Sequence, residues 1–512
     1  QTNVCGKHFI VFSSVMLEIS PKSFEEVFTE TKKGNVVPIV GSVLADLHTP
    51  TDAFLRVCAA AEKAFLFESI EGGERLARYS FLAANPQMII RARKAEVQIE
   101  KNNATETLRE TSLFDFLREY FKKNKLARRE NLPPLCGGAI GFLTYNAVRR
   151  FEPVLDDGKF SESDDAVWMF FQTVLAFDRL KQRIEIVSVV FTDEAKDDKK
   201  KLRELYENAL CEIEKIEHLL NQNVHFPPSE KSTQQSDFVS NWSKKGFTGA
   251  VTEIQEKILA GDAYQVVLSQ KFSRQTSADA LDIYRALRSL NPSPYMFFVK
   301  TGDKTLIGAS PEMLVRAHGK NLEYCPIAGT RKRGKTEAED LALGAEMRAD
   351  AKEVSEHTML VDLGRNDLGR VAEYGSVEVA KLMKIEKYSH VQHLVTSLKA
   401  KLRDGFDCFD ALAACFPAGT VSGAPKVSAM KIIDELEPTP RGVYAGTVGY
   451  IDYAGNLDTC IAIRKIELEN GTASVQAGAG IVADSVPESE FEETINKARA
   501  LIKAIEMAEN GF

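Results

Sequence analysis

Two short segments, PYMFFVK (residues 294–300) and KTLIGAS (residues 304–310), decide the fold of the C-terminal half of this chain. Both are compact runs of apolar and aromatic residues, which is typical of β-strands. Further strand patterns alternate with amphipathic helical patterns, namely YQVVLSQKF (264–272), FTGAVTEIQEKILAG (247–261), EDLALGAEMRADAKEVSEHTMLVDL (339–363) and VYAGTVGYIDY (443–453). Strand-rich segments flanked by helices, without a fixed-period repeat, predict an α+β layered architecture and not a doubly wound sheet.

The N-terminal half is also rich in strand patterns. From Met16 to about residue 190, short alternating runs broken by Gly and Pro predict hairpins with a few helices. Residues 193–222 then show apolar positions at i, i+3, i+4 and i+7 among dense charge, which predicts one long surface helix. The Pro-rich polar segment that follows predicts a domain boundary. We therefore predict an N-terminal domain over 16–225, a linker over 226–240 and a C-terminal domain over 241–512.

Composition excludes several classes of protein. The 512 residues carry a net charge of −8 and 44% hydrophobic residues, which is not the balance of a nucleic-acid-binding protein. The longest apolar runs fall far short of the roughly 20 residues that span a bilayer, so we expect no membrane segment. Eight cysteines without a C-x-x-C spacing predict reduced thiols in a cytoplasmic protein. The first 15 residues leave two alternatives open, a weak signal peptide or a segment that precedes a natural start at Met16.

GTRKRGKT (residues 329–336) matches the phosphate-loop pattern G-x-x-x-x-G-K-[ST]. Electrostatics argue against a nucleotide, because Glu337, Glu339 and Asp340 already complement the N-terminus of the helix that follows. Thr336 and Glu339 have the spacing of a capping box. The alternative to a nucleotide site is a solvated basic turn.

Two pairs of glutamates recur at the i, i+3 spacing of a helix, Glu353 with Glu356 and Glu490 with Glu493. Each pair lies on one face of its predicted helix, and two such helices facing each other supply hard oxygen ligands for Mg²⁺. The alternative is ordinary exposed helix carboxylates.

Three further features allow a functional and a structural interpretation. His393 is either a general acid or base near neutral pH or a satisfied core residue. Gly478 and Gly480 either let backbone N–H groups approach an anion or relieve a tight strand turn. Arg464, on an alternating strand, either binds a carboxylate bidentately or forms a structural ion pair.

The motifs together resemble component I of anthranilate synthase and, more broadly, the chorismate-utilising enzymes. The resemblance is carried, in family order over about residues 245–505, by GDAYQVVLSQKF, GASPEMLV, PIAGTRKRG, EHTMLVDLGRNDLGRV, SHVQHLVTSL, FPAGTVSGAPK, RGVYAGTVGY, AIRKIEL and QAGAGIVADSVPESEFEETINKAR. LFESIEGGERLARYSF and GGAIGFLTYNAVR extend it into the N-terminal half. It implies a four-layer α/β/β/α fold in which two mainly antiparallel sheets pack as a sandwich with helices outside. It also implies that the two predicted domains are regulatory and catalytic, respectively.

The resemblance also implies a set of site residues. Chorismate is a dianion whose carboxylates need cationic or amide partners. Its binding positions are matched by Gly329, Thr330, Tyr444, Arg464, Gly478, Ala479 and Gly480. The magnesium ligands are matched by Glu356 and Glu493, with Glu353 and Glu490 beside them. The acid that helps the ring hydroxyl leave is matched by Glu312, the histidine linked to pyruvate elimination by His393, and pocket residues by Thr420 and Lys497.

Two positions bear on which nucleophile attacks the ring. Ala328 stands where aminodeoxychorismate synthases of the family have a lysine that attacks covalently. Gln265 stands where salicylate and isochorismate synthases have a lysine that activates water. The resemblance therefore implies that ammonia attacks and that anthranilate and pyruvate are formed. Aminodeoxychorismate synthase and a non-catalytic, ligand-binding regulatory paralogue remain the rival functions.

Partners and regulation follow from the same resemblance. Nothing in the chain resembles the G-x-C-x-G nucleophile turn of a glutaminase, so we expect a separate glutamine amidotransferase subunit in a hetero-oligomer. LFES and NPSPYMFF resemble the segments of a tryptophan feedback site, with Ser69, Pro294, Tyr295 and Met296 at its contact positions. Glu68, Ser69 and the turn backbone are expected to bind the polar groups of L-tryptophan, and Tyr295 with Met296 to form a shelf for the indole. The alternative is a structural loop packed on a strand.

Overall fold

A computed structural model describes residues 17–70, 78–93, 96–109, 111–156, 163–195, 198–222, 237–388 and 391–511. The first 15 residues and most of the predicted linker lie outside this described part. All bounds and contacts below refer to the described residues.

The strands are β1 Glu18–Ser20, β2 Val36–Leu44, β3 Lys63–Glu68, β4 Tyr79–Ala84, β5 Met88–Arg93, β6 Glu96–Lys101, β7 Ala104–Arg109, β8 Gly138–Leu143, β9 Ala166–Phe171, β10 Thr173–Asp178, β11 Arg183–Phe191, β12 Val239–Ser240, β13 Gln265–Gln275, β14 Tyr295–Thr301, β15 Lys304–Ser310, β16 Met313–His318, β17 Asn321–Tyr324, β18 Ile327–Lys332, β19 Glu378–Lys387, β20 Val391–Lys401, β21 Gly423–Ala424, β22 Thr447–Asp452, β23 Leu457–Ile461, β24 Lys465–Glu469 and β25 Thr472–Ile481.

The α-helices are α1 Phe24–Glu30, α2 Pro50–Val57, α3 Leu113–Lys123, α4 Lys199–Asn221, α5 Lys244–Leu259, α6 Ala280–Leu290, α7 Glu337–Ala349, α8 Ala351–Gly369, α9 Cys408–Cys415, α10 Gly419–Ser422, α11 Lys426–Leu436 and α12 Pro487–Asn510. Short 3₁₀ turns occupy Tyr145–Arg150, Pro153–Leu155 and Thr192–Ala195.

The strands form two large antiparallel sheets. Sheet A runs in the order β1-β2-β11-β10-β4-β3-β14-β15-β24-β25-β13-β12, and β21 also pairs with β13. Sheet B runs in the order β18-β20-β17-β16-β23-β22-β8-β9-β5-β6-β7, and β19 also pairs with β20. Strands β14 and β15 form a hairpin, in which Tyr295 pairs with Ser310 and Lys300 with Thr305.

The two sheets pack face to face over a shared apolar core. Phe65 of β3 meets Phe171 of β9 edge to face, with ring centroids 5.0 Å apart. Phe297 and Val299 of β14 lie in the same core, whereas Phe298 between them points to the opposite face of sheet A. Side chains alternate across a strand, so a strand with an apolar partner on each face reads as a continuous apolar run.

Helices cover both outer faces. The helix side of sheet A is packed by α1, α2, α4, α6 and α12. Sheet B is covered chiefly by α3, α8 and α9, through side chains such as Phe121, Val361 and Leu412. The predicted four-layer α/β/β/α arrangement is therefore confirmed.

The pattern over residues 339–363 predicts one continuous helix, and the structure corrects this to two. Asp350 interrupts the pattern with a backbone in the extended region (φ −71°, ψ 113°). Its carboxylate accepts hydrogen bonds from the backbone N–H groups of Lys352 and Glu353, which caps the start of α8. The break lets α8 take its own direction beside β18 and β20.

The predicted division at residues 226–240 stays a prediction. Both sheets combine strands from either side of it: β3 pairs with β14 in sheet A, and β8 pairs with β22 in sheet B. In the described part of the chain, no helix is long and apolar enough to cross a membrane.

Candidate active site

A cavity of about 550 Å³ opens at one end of the sandwich, between sheet A, sheet B and helices α8 and α12. Ten predicted site residues line it: Glu312, Glu356, Thr420, Tyr444, Arg464, Gly478, Gly480, Glu490, Glu493 and Lys497. The other five do not belong to its described lining: Gly329, Thr330, Glu353, His393 and Ala479. Residues far apart in the sequence thus converge on one concave surface.

Glu312 lies in the short loop between β15 and β16 and is only 5% exposed. Burial raises the pKa of this carboxyl to about 8, and the Thr420 hydroxyl and the backbone amide of Ile327 oppose the shift only in part. The hydroxyl of Thr420 is buried and forms no hydrogen bond of normal geometry within the described residues. Glu312 is therefore a protonated acid at neutral pH, with a proton to donate into the cavity.

Arg464 precedes β24 with a left-handed backbone (φ 51°), which is uncommon for a residue with a side chain. Its Nη1 lies 3.4 Å from the backbone oxygen of Lys497, and it forms no salt bridge with any described carboxylate. Burial lowers the pKa of Arg464, although Tyr444 and Glu493 oppose the shift. A desolvated guanidinium without an anionic partner suits the carboxylate interpretation and not the structural ion pair.

The carboxylates come from two helices that face the cavity. Burial and the nearby Glu353 raise the pKa of Glu356, while a hydrogen bond from Gln265 lowers it. Burial and the neighbouring Glu493 raise the pKa of Glu490. Negative charges crowded at a cavity wall are stabilised by a bound cation, and hard oxygen donors are the ligands that Mg²⁺ prefers.

The fit to a cation has a limit set by geometry. Across the described ranges, no group of three or more His, Cys, Asp or Glu side chains lies close enough together to hold a metal alone. Glu353 Oε1 is bound to Arg331 at 2.8 Å, which turns it towards β18. The donor chemistry therefore fits Mg²⁺ held by one or two carboxylates, with water and substrate oxygens completing its shell.

A side chain larger than that of glycine does not fit at Gly478 or Gly480. A Cβ atom on Gly480 would lie 2.5 Å from the side-chain nitrogen of Gln265, and one on Gly478 would lie 2.8 Å from the Tyr444 hydroxyl oxygen. Both side chains line the cavity, so larger residues here would push them inward. A side chain at either position would therefore clash with Gln265 or Tyr444, whereas the approach of an anion to the backbone N–H groups stays a prediction.

His393 lies on β20, where it pairs with Thr330 of β18. Its Nδ1 is 2.9 Å from the backbone oxygen of Gly329 and 3.1 Å from the Thr330 hydroxyl oxygen. A carbonyl only accepts, so Nδ1 carries the proton in this contact. Burial lowers the pKa of His393, which leaves the ring neutral with an unprotonated Nε2 at pH 7.

Comparison with known proteins identifies the family. Residues 62–503 match the family model described as chorismate binding enzyme. The chain belongs to this family. It is 44% identical over 497 residues to anthranilate synthase component 1 of Acetivibrio thermocellus, covering 95% of this chain and 98% of the relative. It is 43% identical over 490 residues to anthranilate synthase component 1 of Aquifex aeolicus, with the same coverage. The crystal structure of anthranilate synthase component I from Streptococcus pneumoniae TIGR4 superposes with a TM-score of 0.72 at 35% identity, covering 90% of this chain and 98% of that one.

In this chorismate-binding enzyme, the phosphate-loop match is not a nucleotide cradle. The backbone N–H of Gly334 donates to Asp340 Oδ1 at 2.9 Å, and that of Lys335 donates to Glu339 Oε2 at 2.8 Å. These backbone N–H groups, which would otherwise bind a phosphate, already donate to carboxylates of the chain itself. The capping box is half formed, because Thr336 accepts from the Glu339 amide while the Glu339 carboxylate binds Lys335.

Arg331 and Arg333 of that stretch are paired with carboxylates and are not part of a solvated turn, whereas Lys332 and Lys335 are exposed. Arg333 pairs with Asp340 through two hydrogen bonds of 2.9 and 3.0 Å. Arg331 binds Asp350 and Glu353 as well as Glu346. These ion pairs fix the strand that carries Gly329 against the start of α8.

The four predicted tryptophan-site residues, Ser69, Pro294, Tyr295 and Met296, line a second cavity of about 1230 Å³ between the sheets. The Ser69 hydroxyl is buried without a hydrogen-bond partner among the described residues. Aromatic side chains face this cavity: Tyr79 stacks on Phe81, which meets Tyr450 edge to face, both with centroids 5.9 Å apart. The cavity thus offers a polar atom beside an aromatic wall.

Two details of the expected tryptophan site need correction. Glu68 is 2% exposed, and its carboxylate already accepts hydrogen bonds from Tyr284 at 2.6 Å and Arg288 at 2.8 Å. Met296 is 1% exposed and packs in the core on the helix side of sheet A. Neighbouring side chains of a strand face opposite sides of the sheet, so the Tyr295 and Met296 side chains do not lie side by side, although both residues border the cavity.

Several residues that line this cavity, called the catalytic cavity below, were not predicted from the sequence, among them Met359 and Gln476. A signal for Gln476 was present, because it lies two residues before Gly478 on an alternating strand and therefore shares its face. Met359 is three residues beyond Glu356 on α8, which is also a same-face spacing.

Proposed function

We propose that this chain is the aminating large component of an anthranilate synthase, converting chorismate and ammonia to anthranilate and pyruvate in the first committed step of tryptophan biosynthesis. The observation that carries the proposal is the buried, protonated Glu312 in a cavity that also presents Arg464 and Lys497. In such a cavity, a protonated acid can assist the hydroxyl of a dianionic ring to leave as water.

The cationic side chains and the backbone amides that line the cavity bind the substrate. Arg464 offers a guanidinium without a salt-bridge partner among the described carboxylates, and Lys497 lies beside Gly478, whose carbonyl accepts from its ammonium at 3.0 Å. Tyr444 and the backbone at Gly478 and Gly480 complete this side. A carboxylate held here orients the ring towards Glu312.

The nucleophile is ammonia, because the two positions that would supply another nucleophile or its base carry neutral side chains. Ala328 and Gln265 both line the cavity. Ala328 has no amine to attack the ring, and Gln265 has no basic nitrogen to activate water. Glu312 donates its proton to the ring hydroxyl as ammonia adds, and the hydroxyl leaves as water.

Elimination of pyruvate requires a proton to leave the aminated ring. The neutral His393 has a free Nε2 lone pair, and its Nδ1 proton is held by the Gly329 carbonyl. This contact fixes the tautomer that accepts a proton. His393 is the base in this proposal, and release of pyruvate makes the enzyme a lyase.

Magnesium, when bound, would supply Lewis-acid chemistry at the ring carboxylate. Glu356 and Glu493 would hold it, with Glu353 and Glu490 beside them.

A glutamine amidotransferase subunit would deliver ammonia, forming a hetero-oligomer. The buried thiols of Cys58, Cys136, Cys408, Cys415 and Cys460 support a cytoplasmic location. Feedback inhibition by L-tryptophan rests on the second cavity, where the unpartnered Ser69 hydroxyl and the aromatic wall suit an amino acid with an indole side chain.

The experiment is to supply the purified chain with chorismate, Mg²⁺ and ammonium and to measure anthranilate fluorescence together with pyruvate. Equal amounts of both products are expected. Amination without pyruvate would instead indicate an aminodeoxychorismate synthase. Binding of chorismate without turnover would indicate a non-catalytic paralogue.

A further inference from the structure

Gln476 lies on β25 in the wall of the catalytic cavity. Its neighbours Val475 and Ala477 pack in the core on the helix side of sheet A, so alternation turns Gln476 to the cavity face. The residue is only 2% exposed. A buried primary amide needs a partner for its oxygen as well as for its nitrogen.

A chain of hydrogen bonds fixes which end of the Gln476 amide contacts Ser269. Glu437 Oε1 accepts from both the backbone N–H and the hydroxyl of Ser269, each at 2.8 Å. The carboxylate also accepts two bonds from Arg441, at 2.9 and 2.7 Å. A carboxylate paired with a guanidinium only accepts, so the Ser269 proton points to Glu437.

The consequence for Gln476 follows from the same logic. The Ser269 oxygen, having donated its proton to Glu437, accepts from the Gln476 side chain at 2.9 Å. The atom that contacts Ser269 is therefore Nε2, and Oε1 points away from it. Gln476 Oε1 is buried and has no hydrogen-bond partner among the described residues. A buried acceptor left unpaired is unfavourable, so this oxygen calls for a donor from outside the chain.

We propose that Gln476 Oε1 accepts a hydrogen bond from an N–H or O–H group of a substrate, and that Ser269 and Glu437 are positioning residues that hold this oxygen towards the cavity. The inference rests on the proposed function, which supplies two candidate donors. One is the ammonia nucleophile, and the other is the ring hydroxyl of chorismate.

A nearby glutamine provides a matched control. Gln270 is fully buried on β13, where it pairs in register with Ala477. Its Oε1 accepts from the Ser240 hydroxyl at 2.9 Å, and its Nε2 donates to Thr494. Both ends of this amide have partners within the chain, and the residue does not belong to the described lining of the cavity.

The test compares Gln476→Met with Gln270→Met in the full chain, by steady-state kinetics with each substrate varied while the other is saturating. Loss of one substrate hydrogen bond predicts a rise of about 3- to 10-fold in one KM for Gln476→Met. A rise confined to ammonium identifies ammonia as the donor, and a rise confined to chorismate identifies the ring hydroxyl. Gln270→Met is expected to lower the thermal midpoint and leave both KM values unchanged.

Ser269→Ala tests the positioning role, because it frees the Gln476 amide to turn. It should raise the same KM as Gln476→Met, and it keeps the proposal testable if the methionine variant does not fold. Unchanged KM values in both variants, or the same rise in Gln270→Met, would overturn the role of Gln476. An unsubstituted chain that forms no anthranilate from ammonium would instead overturn the proposed function itself.

Discussion

The Lys497 ammonium lies 2.6 Å from Oε1 of Glu493, one turn earlier on α12. Lys497 also donates to the carbonyl of Gly478, so this ion pair joins the helix to the glycine-rich strand of the cavity. The ion pair therefore couples Glu493, a candidate Mg²⁺ ligand, to Lys497, a candidate substrate-binding residue. A substitution at either residue is expected to affect the other.

Glu493→Ala is expected to abolish Mg²⁺-dependent anthranilate formation while the fold stays intact, because a hard cation loses an anionic ligand. The measurement is turnover over a Mg²⁺ titration, with circular dichroism to follow folding. Glu492→Ala is the matched control, since Glu492 is exposed on the same helix and pairs only weakly with Lys244 at 3.6 Å. Turnover equal to that of the unsubstituted chain at limiting Mg²⁺ would show that the metal assignment is wrong.

Activity is expected to fall as pH rises through about 8, the pKa of Glu312, because the proposed acid then loses its proton. Glu312→Gln should lower kcat by roughly 10²- to 10⁴-fold, as for loss of a general acid. A pH profile of kcat for the unsubstituted chain is the measurement. An alkaline limb that stays flat to pH 9 would contradict the assignment.

The raised pKa of Glu312 also leads to a prediction about the stability of the fold. The pKa of Glu312 is raised on folding from 4.5 to about 8, so the folded state binds more protons between these values. The free energy of unfolding should therefore decrease as pH rises across this window, by up to roughly 1.4 kcal/mol per pH unit. Denaturant titrations from pH 5 to 9 should show a weaker pH dependence in Glu312→Gln. Glu214→Gln, at an exposed position on α4, should retain the original dependence.

The isolated chain is expected to use ammonium salts and not glutamine. Glutaminase chemistry of this kind needs a reactive thiolate, whereas burial raises the pKa of Cys58, Cys136, Cys408, Cys415 and Cys460. Burial also raises the pKa of Cys325 to about 11. The measurement is anthranilate formation with each nitrogen source. Glutamine-dependent product from the purified chain alone would refute the need for a partner subunit.

Ser69→Arg is expected to abolish tryptophan binding, because it fills the second cavity with a charge and removes the unpartnered hydroxyl. Calorimetry should also show that saturating chorismate weakens tryptophan binding to the unsubstituted chain, since coupling between two sites is reciprocal. Thr107→Arg, which adds the same charge on the exposed strand β7, serves as the control. Tryptophan affinity that Ser69→Arg leaves intact would rule out this cavity as the site.

Local patterns in the sequence were enough for much of the fold. The hairpin at residues 294–310, the long helix α4 and the strands on either side follow from periodicity, which depends only on neighbouring residues. The break at Asp350 was missed because the apolar pattern continues across it, although an aspartate followed by α8 is a capping signal.

The sequence by itself determined the layered class of fold, the family through its ordered motifs, and ten of the residues that line the cavity of the candidate active site. Tertiary structure alone decided which of them act together. It paired Glu353 with Arg331, occupied the Glu68 carboxylate with Tyr284 and Arg288, and turned Met296 away from Tyr295. It also raised the pKa of Glu312 by burial and left the Gln476 oxygen without a hydrogen-bond partner among the described residues. The physical reason is that burial, charge pairing and hydrogen-bond direction depend on residues distant in the sequence, which meet only when the sheets and helices pack.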